Sequence, residues 1–332
     1  MCIVVVGTIV ADTIEHLDGN ITESLGGIAH TVAVLSALGG GRHAIVPVCR
    51  AGEDCRERIT AWAAGLAGVS LEAVRWMPQA NPRVRLSYPE AGSADERVER
   101  LSGAPPPLQA GDLSEVPAAG VDLALINCIT GSDCTPEALA AVRGASERVY
   151  LDVHSLALGT APNGVRFLRP RDDWDDWLGC ADVVQSNVPE AAMFCGLPAD
   201  AGEYDSDEVL AALTRHLQTR HAHRRGIREQ SLPPSAWALT LGPEGAAVIE
   251  RHGERVTSRR LPATPIAAVD PTGAGDAFGA GYALAWLEGA TPLEAAEAGV
   301  RAGTAACLVA GAPSAEAFRR GVDGGSGPAD FP

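Results

Sequence analysis

Short, β-rich and largely apolar runs punctuate this chain at wide intervals. Cys2–Val6, Ala44–Val48, Val121–Ile126, Val149–Val153, Asp182–Gln185 and Trp237–Leu241 each read as a strand. Between them the apolar residues change period. Ile28, Val32, Leu35 and Leu38 recur at helical spacing, and Gly39-Gly40-Gly41 stops that helix. Strands that alternate with helices predict a mostly parallel sheet built from right-handed crossovers. A sheet covered on both faces explains strands as apolar throughout as VDLALI. Ala246–Ile249 is placed to return as a hairpin partner of Trp237–Leu241.

Two stretches break this rhythm. Thr8–Thr22 and Asn81–Gly103 carry short alternating segments with charged residues, such as RVRLSYP and ERVERLSG, and predict a small β lid outside the main sheet. The polar stretch Ala199–Pro234, with LTRHLQTRHAHRRGIREQ inside it, reads as a solvated surface insertion. A Gly/Pro-rich tail, GVDGGSGPADFP, begins at Gly321 and is too small and polar to fold. The expected organisation is one domain over residues 1–318, with lid strands near 8–22 and 81–103, and a flexible tail over 319–332.

Composition agrees. The 332 residues are 46% hydrophobic and 20% charged, enough for a large core. The formal net charge of −16 makes nucleic acid and anionic membranes poor partners. No apolar run is long enough to span a bilayer. Cys2–Val6 lacks the basic flank and cleavage site of a signal peptide. The 8 cysteines show no C-x-x-C pair and read as reduced, mostly buried thiols of a cytoplasmic protein. Cys2 and Cys307 in particular stand in apolar surroundings.

The sharpest chemical signal is VDPTGAGDAFGAGY, Val269 to Tyr282. A strand-like approach (Ile266–Val269) runs into Gly273-Ala274-Gly275, and a helix with Phe278, Tyr282 and Ala285 on its buried face follows. Thr291-Pro292-Leu293-Glu294 opens the next helix as a capping box with proline at its first position. Glycines at a helix N-terminus let backbone N–H groups reach a phosphate, and the helix dipole adds positive charge. Asp276 falls in the first turn. It either complements the dipole or serves as a general base beside an anion hole.

DPTGAGDAF resembles the C-terminal signature of PfkB-type carbohydrate kinases, usually D-T-x-G-A-G-D. Gly26-Gly27, followed by a small-residue helix ending in SALGG, is similar to that family's N-terminal signature. NVPE (Asn187 to Glu190) resembles its N-x-x-E motif, and TLGPEG (Thr240 to Gly245) its T-x-G-x-x-G nucleotide loop. The four occur in the family's order.

The resemblance implies a ribokinase-like fold: a three-layer α/β/α sandwich with a mostly parallel central sheet and a β lid, which in many relatives also pairs across a homodimer. It implies Asp276 as catalytic base and the amides of Gly273, Ala274 and Gly275 as the anion hole. ATP would lie on Asn187, Thr240, Gly242, Gly245 and Thr272. Mg²⁺ would be organised by Glu190 and Asn187, through water. A monovalent cation such as K⁺ would sit at Asp270 beside Thr272. Asp12, Gly26 and Gly27 would hold substrate hydroxyls. Read locally, Asn187 caps a helix whose first turn holds Glu190, and Gly242 and Gly245 are hairpin-turn glycines.

This chain departs from the pattern where the signature's asparagine is Thr31 and His30 precedes it. Those changes bear on the substrate. An unperturbed His30 in contact with it would make K_M depend on pH between roughly 5.5 and 7.5. Asn127, Asp152 and His154 end strands at the edge where α/β proteins bind ligands and are further pocket residues. Trp174 and Trp177 read as packing residues. The expected function is an ATP-dependent kinase that phosphorylates a small sugar. A nucleoside kinase is the alternative, disfavoured because the lid offers few aromatics beyond Tyr88 and Trp76. A non-catalytic sugar-binding protein is the alternative from another class, and the intact GAGD argues against it. A dinucleotide oxidoreductase lacks support, because no G-x-G-x-x-G follows the first strand.

Overall fold

The protein is seen in a computed structural model that describes residues 1–15, 19–87, 98–115, 120–198, 204–223, 234–309 and 318. Its centre is a nine-stranded sheet. The strands are β1 (Cys2–Gly7), β4 (Ala44–Gly52), β5 (Val74–Met77), β8 (Val121–Asn127), β9 (Ser146–Asp152), β12 (Val183–Asn187), β13 (Ala236–Thr240), β14 (Ala246–His252) and β15 (Arg255–Leu261). Their order is β15-β14-β13-β12-β9-β8-β1-β4-β5. From β13 to β5 every neighbouring pair is parallel. β14 and β15 close one edge as antiparallel hairpins.

Strand β1 shows why the runs are apolar throughout. Ile3 and Val5 enter one core layer, and Val4 and Val6 enter the layer on the opposite face. α1 (Ile28–Gly39), α2 (Arg56–Ala64), α7 (Ala274–Leu287) and α8 (Pro292–Ala306) contribute to the first layer. α3 (Pro136–Ala145), α4 (Trp174–Leu178), α5 (Val188–Phe194) and α6 (Ser206–His223) contribute to the second. The expected α/β/α sandwich is what forms. Trp174 and Trp177 are buried in the second layer, as packing residues. No helix of the described residues is long and apolar enough to cross a membrane.

Local sequence sets the helix ends. Gly40 adopts the left-handed conformation after α1 and returns its N–H to the Ser36 carbonyl, which a side chain there would disfavour. Thr135 caps α3, and Thr291 with Glu294 forms the expected capping box of α8.

The lid is a four-stranded sheet, β3-β2-β6-β7. It comprises β2 (Ile9–Glu15), β3 (Ile21–Gly27), β6 (Arg83–Ser87) and β7 (Val98–Ser102). Residues 16–18 and 88–97 of the two expected lid segments, Tyr88 included, lie outside the described residues. So does the expected tail, 319–332. A short hairpin, β10 (Leu158–Thr160) with β11 (Arg166–Leu168), meets the lid through an Arg100–Val165 bridge.

The structure corrects three expectations. The stretch near 199–234 is no mere solvated insertion, because its described part contains α6. Val209, Leu213 and Leu217 of that helix are buried, and His216 packs its ring 4.5 Å from that of Phe194. The dense charges of the segment hid this i, i+4 stripe. Ile266–Val269 is no strand: it lies outside any ladder, with Ile266 and Val269 exposed. Cys2 and Cys307 are half-buried, whereas Cys49, Cys55, Cys128 and Cys134 are fully buried free thiols.

Helices α7 and α8 cross where small residues let their backbones approach. A Cβ on Gly281 would lie 2.7 Å from the Ala302 Cβ, and one on Gly299 2.9 Å from the Phe278 ring. Gly281→Leu should therefore overpack this crossing and cost about 1–3 kcal/mol. Urea unfolding measures it, and an unchanged midpoint would mean that the crossing has slack.

Candidate active site

The carboxyl ends of the parallel strands finish on one line. Gly7 of β1 is in register with Asn127 of β8, Asn127 with Asp152 of β9, and Asp152 with Gln185 of β12. One step further, Asn187 pairs with Thr240 of β13. Ligands of open α/β sheets bind along such a line. Here the start of α7 comes down onto it. The Gln185 amide donates to the Gly275 carbonyl at 3.0 Å and to Asp152 Oδ2 at 3.2 Å, and accepts from the Tyr150 hydroxyl at 2.6 Å. Gln185 and Tyr150 were not among the expected site residues. The legible signal was a glutamine directly after the apolar pair Val183-Val184.

Asp276 lies in the first turn of α7, as expected. Its Oδ1 accepts from Asn127 Nδ2 at 2.8 Å and from Thr31 Oγ1 at 3.2 Å. Gly273 is the N-cap at φ 77°, a conformation that glycine adopts without strain. Ala274 sends its N–H back to the Pro271 carbonyl. The N–H groups of Gly275 and Asp276 have no acceptor among the described residues, and Gly275 is exposed. These are two unpaired donors at a helix N-terminus. Next to it, Asp270 Oδ1 accepts the Thr272 N–H, while the buried Thr272 hydroxyl has no partner among the described residues.

The lid supplies Asp12. Its carboxylate lies over Gly26, where any Cβ would collide with it. His30, in the first turn of α1, brings Nε2 to 3.8 Å from Asp12 Oδ2 and stands beside Gly273. Both side chains are nearly enclosed, at 11% and 7% exposure. Burial pushes the Asp12 carboxyl up, His30 works against this, and Glu99 and Asp276 add to it. Burial alone would pull His30 down, but Asp12, Asp276 and Asp270 more than offset that and hold it above the ordinary value of 6.5.

On the other side of Asp276, burial and the charges of Glu190 and Asp276 push Asp152 well above the usual carboxylate range, with His154 opposing them. His154 is the non-glycine residue at positive φ, 31°, among the described residues. Burial opposes its protonation, yet Glu190, whose Oε1 is 3.9 Å from Nδ1, and Asp152 raise its pKa to about 9. Backbone strain at a carboxylate-lined strand end is a common mark of functional sites.

Asn187 and Glu190 do form the capping box of α5. The Glu190 carboxylate accepts the Asn187 N–H at 2.8 Å and its Nδ2 at 2.9 Å, and Asn187 Oδ1 accepts the Glu190 N–H at 2.9 Å. Each Glu190 oxygen keeps lone pairs for a water-coated cation. No group of three His, Cys, Asp or Glu side chains among the described residues is placed to hold a bare metal ion. Gly242 and Gly245, at φ 58° and 103°, shape the turn between β13 and β14, and the Thr240 hydroxyl bonds to the Ser186 carbonyl at 3.3 Å. The nucleotide-loop motif is thus also an ordinary hairpin connection.

Residues 158–319 match the family described as pfkB family carbohydrate kinase. A 2-dehydro-3-deoxygluconokinase of Dickeya dadantii is 30% identical over 129 residues, 39% of this chain and 34% of that protein. The chain thus spans about a third of that relative. A cytidine kinase of Thermococcus kodakarensis is 25% identical over 303 residues, 88% of this chain and 90% of that one. Among solved structures, Arabidopsis thaliana ribokinase complexed with ribose and ATP superposes with a TM-score of 0.68 at 22% identity, over 96% of this chain and 98% of that one.

The Asp12–His30 pair yields a prediction. With Asp12 charged, His30 holds its proton above pH 6.5, so any K_M step that it controls lies higher than an unperturbed histidine would put it. Asp12→Asn should lower the His30 pKa, read from its ring-proton NMR shifts against pH. An unchanged titration would mean that the two side chains do not interact.

Proposed function

We propose that this enzyme, whose residues 158–319 match the pfkB family of carbohydrate kinases, uses ATP to phosphorylate a hydroxyl of a small sugar or sugar derivative at Asp276. The observation that carries the reading is the start of α7. An aspartate whose Oδ1 is anchored by two donors stands one residue from an exposed glycine N–H with no acceptor among the described residues. One end of a short helix turn can accept the hydroxyl proton while its amides receive the charge of the transferred group.

Each chain group has a part in direct in-line transfer, without a phosphoenzyme. The acceptor hydroxyl lies against Asp276, which takes its proton. Gly275 and the neighbouring amides of Gly273 and Ala274 line the anion hole, with the free N–H groups of Gly275 and Asp276 doing the donating. Asp12 accepts from substrate hydroxyls above the Gly26-Gly27 pair, and Asn127, Thr31 and His30 complete that wall. Thr240, Gly242, Gly245, Asn187 and Thr272 border the donor phosphates. Mg²⁺, when bound, neutralises donor charge, and Glu190 with Asn187 would hold its waters; the lone pairs left by the capping box fit that use. The unpartnered Thr272 hydroxyl beside Asp270 fits a monovalent cation such as K⁺.

A nucleoside acceptor is the second reading, favoured by the cytidine kinase relative. Against it, Trp76 is occupied: the Arg56 guanidinium stacks on its ring at 4.8 Å, on β5 at the sheet edge. The acting compartment we propose is the cytoplasm, where ATP is available.

An ADP-release assay over sugars, sugar acids and nucleosides tests the activity. Asp276→Asn should cut k_cat by about 10² to 10⁴ while leaving unfolding cooperative; near-normal turnover would remove Asp276 from the chemistry. Glu190→Gln should raise the Mg²⁺ needed for half-maximal rate more than the sugar K_M. A variant that extra Mg²⁺ does not rescue would show Glu190 to be a helix cap alone.

A further inference from the structure

Asn127 and Thr31 belong to different elements, the end of β8 and the first turn of α1, yet both give their donors to one atom. Asn127 Nδ2 reaches Asp276 Oδ1 at 2.8 Å and Thr31 Oγ1 reaches the same oxygen at 3.2 Å. Both residues are 1% exposed, so neither side chain can swing to another partner. The backbone behind Asn127 is fixed by its register with Gly7 and Asp152. Gly7 is glycine because any Cβ would strike the Asn127 carbonyl. Among the described residues, Asp276 Oδ2 has no donor.

We propose that Asn127 and Thr31 are positioning residues, which lock Oδ1 of Asp276 so that Oδ2 is the one oxygen presented to the acceptor hydroxyl. The inference rests on Asp276 being the base. It changes the part that these two side chains play: with the Thr31 hydroxyl and one Asn127 N–H given to Asp276, they shape the wall of the acceptor site but act on the reaction through the carboxylate. The donors are neutral. An amide and a hydroxyl fix the direction of a carboxylate without placing a permanent positive charge beside it, which would make it a poorer base. The geometry also accounts for threonine at position 31. Its short side chain reaches back to α7, one of the helices packed against α1.

The two roles differ kinetically. A side chain that only holds the base alters k_cat, whereas one that binds the acceptor alters K_M. Thr31→Val keeps the shape and removes the donor; Thr31→Ser keeps the donor. Asn127→Leu removes the amide and keeps its branched outline. With the best acceptor among ribose, 2-dehydro-3-deoxygluconate and cytidine, Thr31→Val should lower k_cat several-fold and Asn127→Leu by about 10- to 100-fold, the scale of a misplaced catalytic group. Acceptor K_M should stay within about two-fold, and Thr31→Ser should recover most of the rate. Added to Asp276→Ala, either change should leave the residual rate nearly unaltered, because residues that act as one unit are not additive. A raised K_M at constant k_cat, or effects that multiply in the Asp276→Ala background, would overturn the proposal.

A second measurement needs no turnover, and so separates this inference from the failure of the kinase reading. Thermal unfolding of Thr31→Val, Asp276→Ala and the double variant gives three midpoint shifts. Shifts that fall short of additive support a direct bond between the two side chains. Additive shifts mean that no such bond exists, and the positioning role falls with it. Thr31→Val is the mildest of these changes and serves if Asn127→Leu does not fold.

Discussion

The register of β8 against β1 and β9 is the constraint on which the site depends. Because Asn127 is level with Gly7 and with Asp152, three strands end at one depth. Helix α7 can then reach Asn127 through Asp276 and the Gln185 amide through Gly275 at the same time. A slip of one residue in β8 would turn Asn127 to the opposite face and give Asp276 nothing to hold. Close approach is needed as well, and glycine supplies it at Gly7 and at Gly279, where a Cβ would come within 2.7 Å of Gln185.

Electrostatics shapes the same place. Asp12, Asp152 and Glu190 are buried around Asp276 in a chain that already carries a net charge of −16. Burying like charges together is costly unless something offsets them. The offsets come from two histidines and a helix end. His30 faces Asp12, His154 faces Glu190 and Asp152, and the N-terminus of α7 points its amides at the centre. Both histidines are pushed toward protonation. A site with this balance suits a reaction in which a proton leaves a hydroxyl while a strongly charged phosphoryl group moves across it.

Much of this was legible in the residues. Six apolar runs marked strands of the main sheet because strands buried on both faces must be apolar throughout. Thr291-Pro292-Leu293-Glu294 marked a helix start because capping is a local interaction. GAGD announced a helix N-terminus with an acid in its first turn. The alternation of Asn81–Gly103 announced strands of a different environment. Segments failed where charge masked periodicity, as in α6, or where apolar residues had no ladder to join, as at Ile266–Val269.

What the sequence determined by itself is therefore what neighbours along the chain decide: periods of burial, caps, turns, and the glycine-rich start of α7. The tertiary structure alone decided which distant groups share an atom. Thr31 and Asp276 lie 245 positions apart and Asn127 and Asp276 149 apart. No local pattern predicts that their side chains meet, since only the stacking of α1 and β8 against α7 brings them together. The same holds for Asp12, His30 and Gln185. Each was a polar residue in its own segment, and each meets its partners because parallel strands end on one line with a lid folded over them.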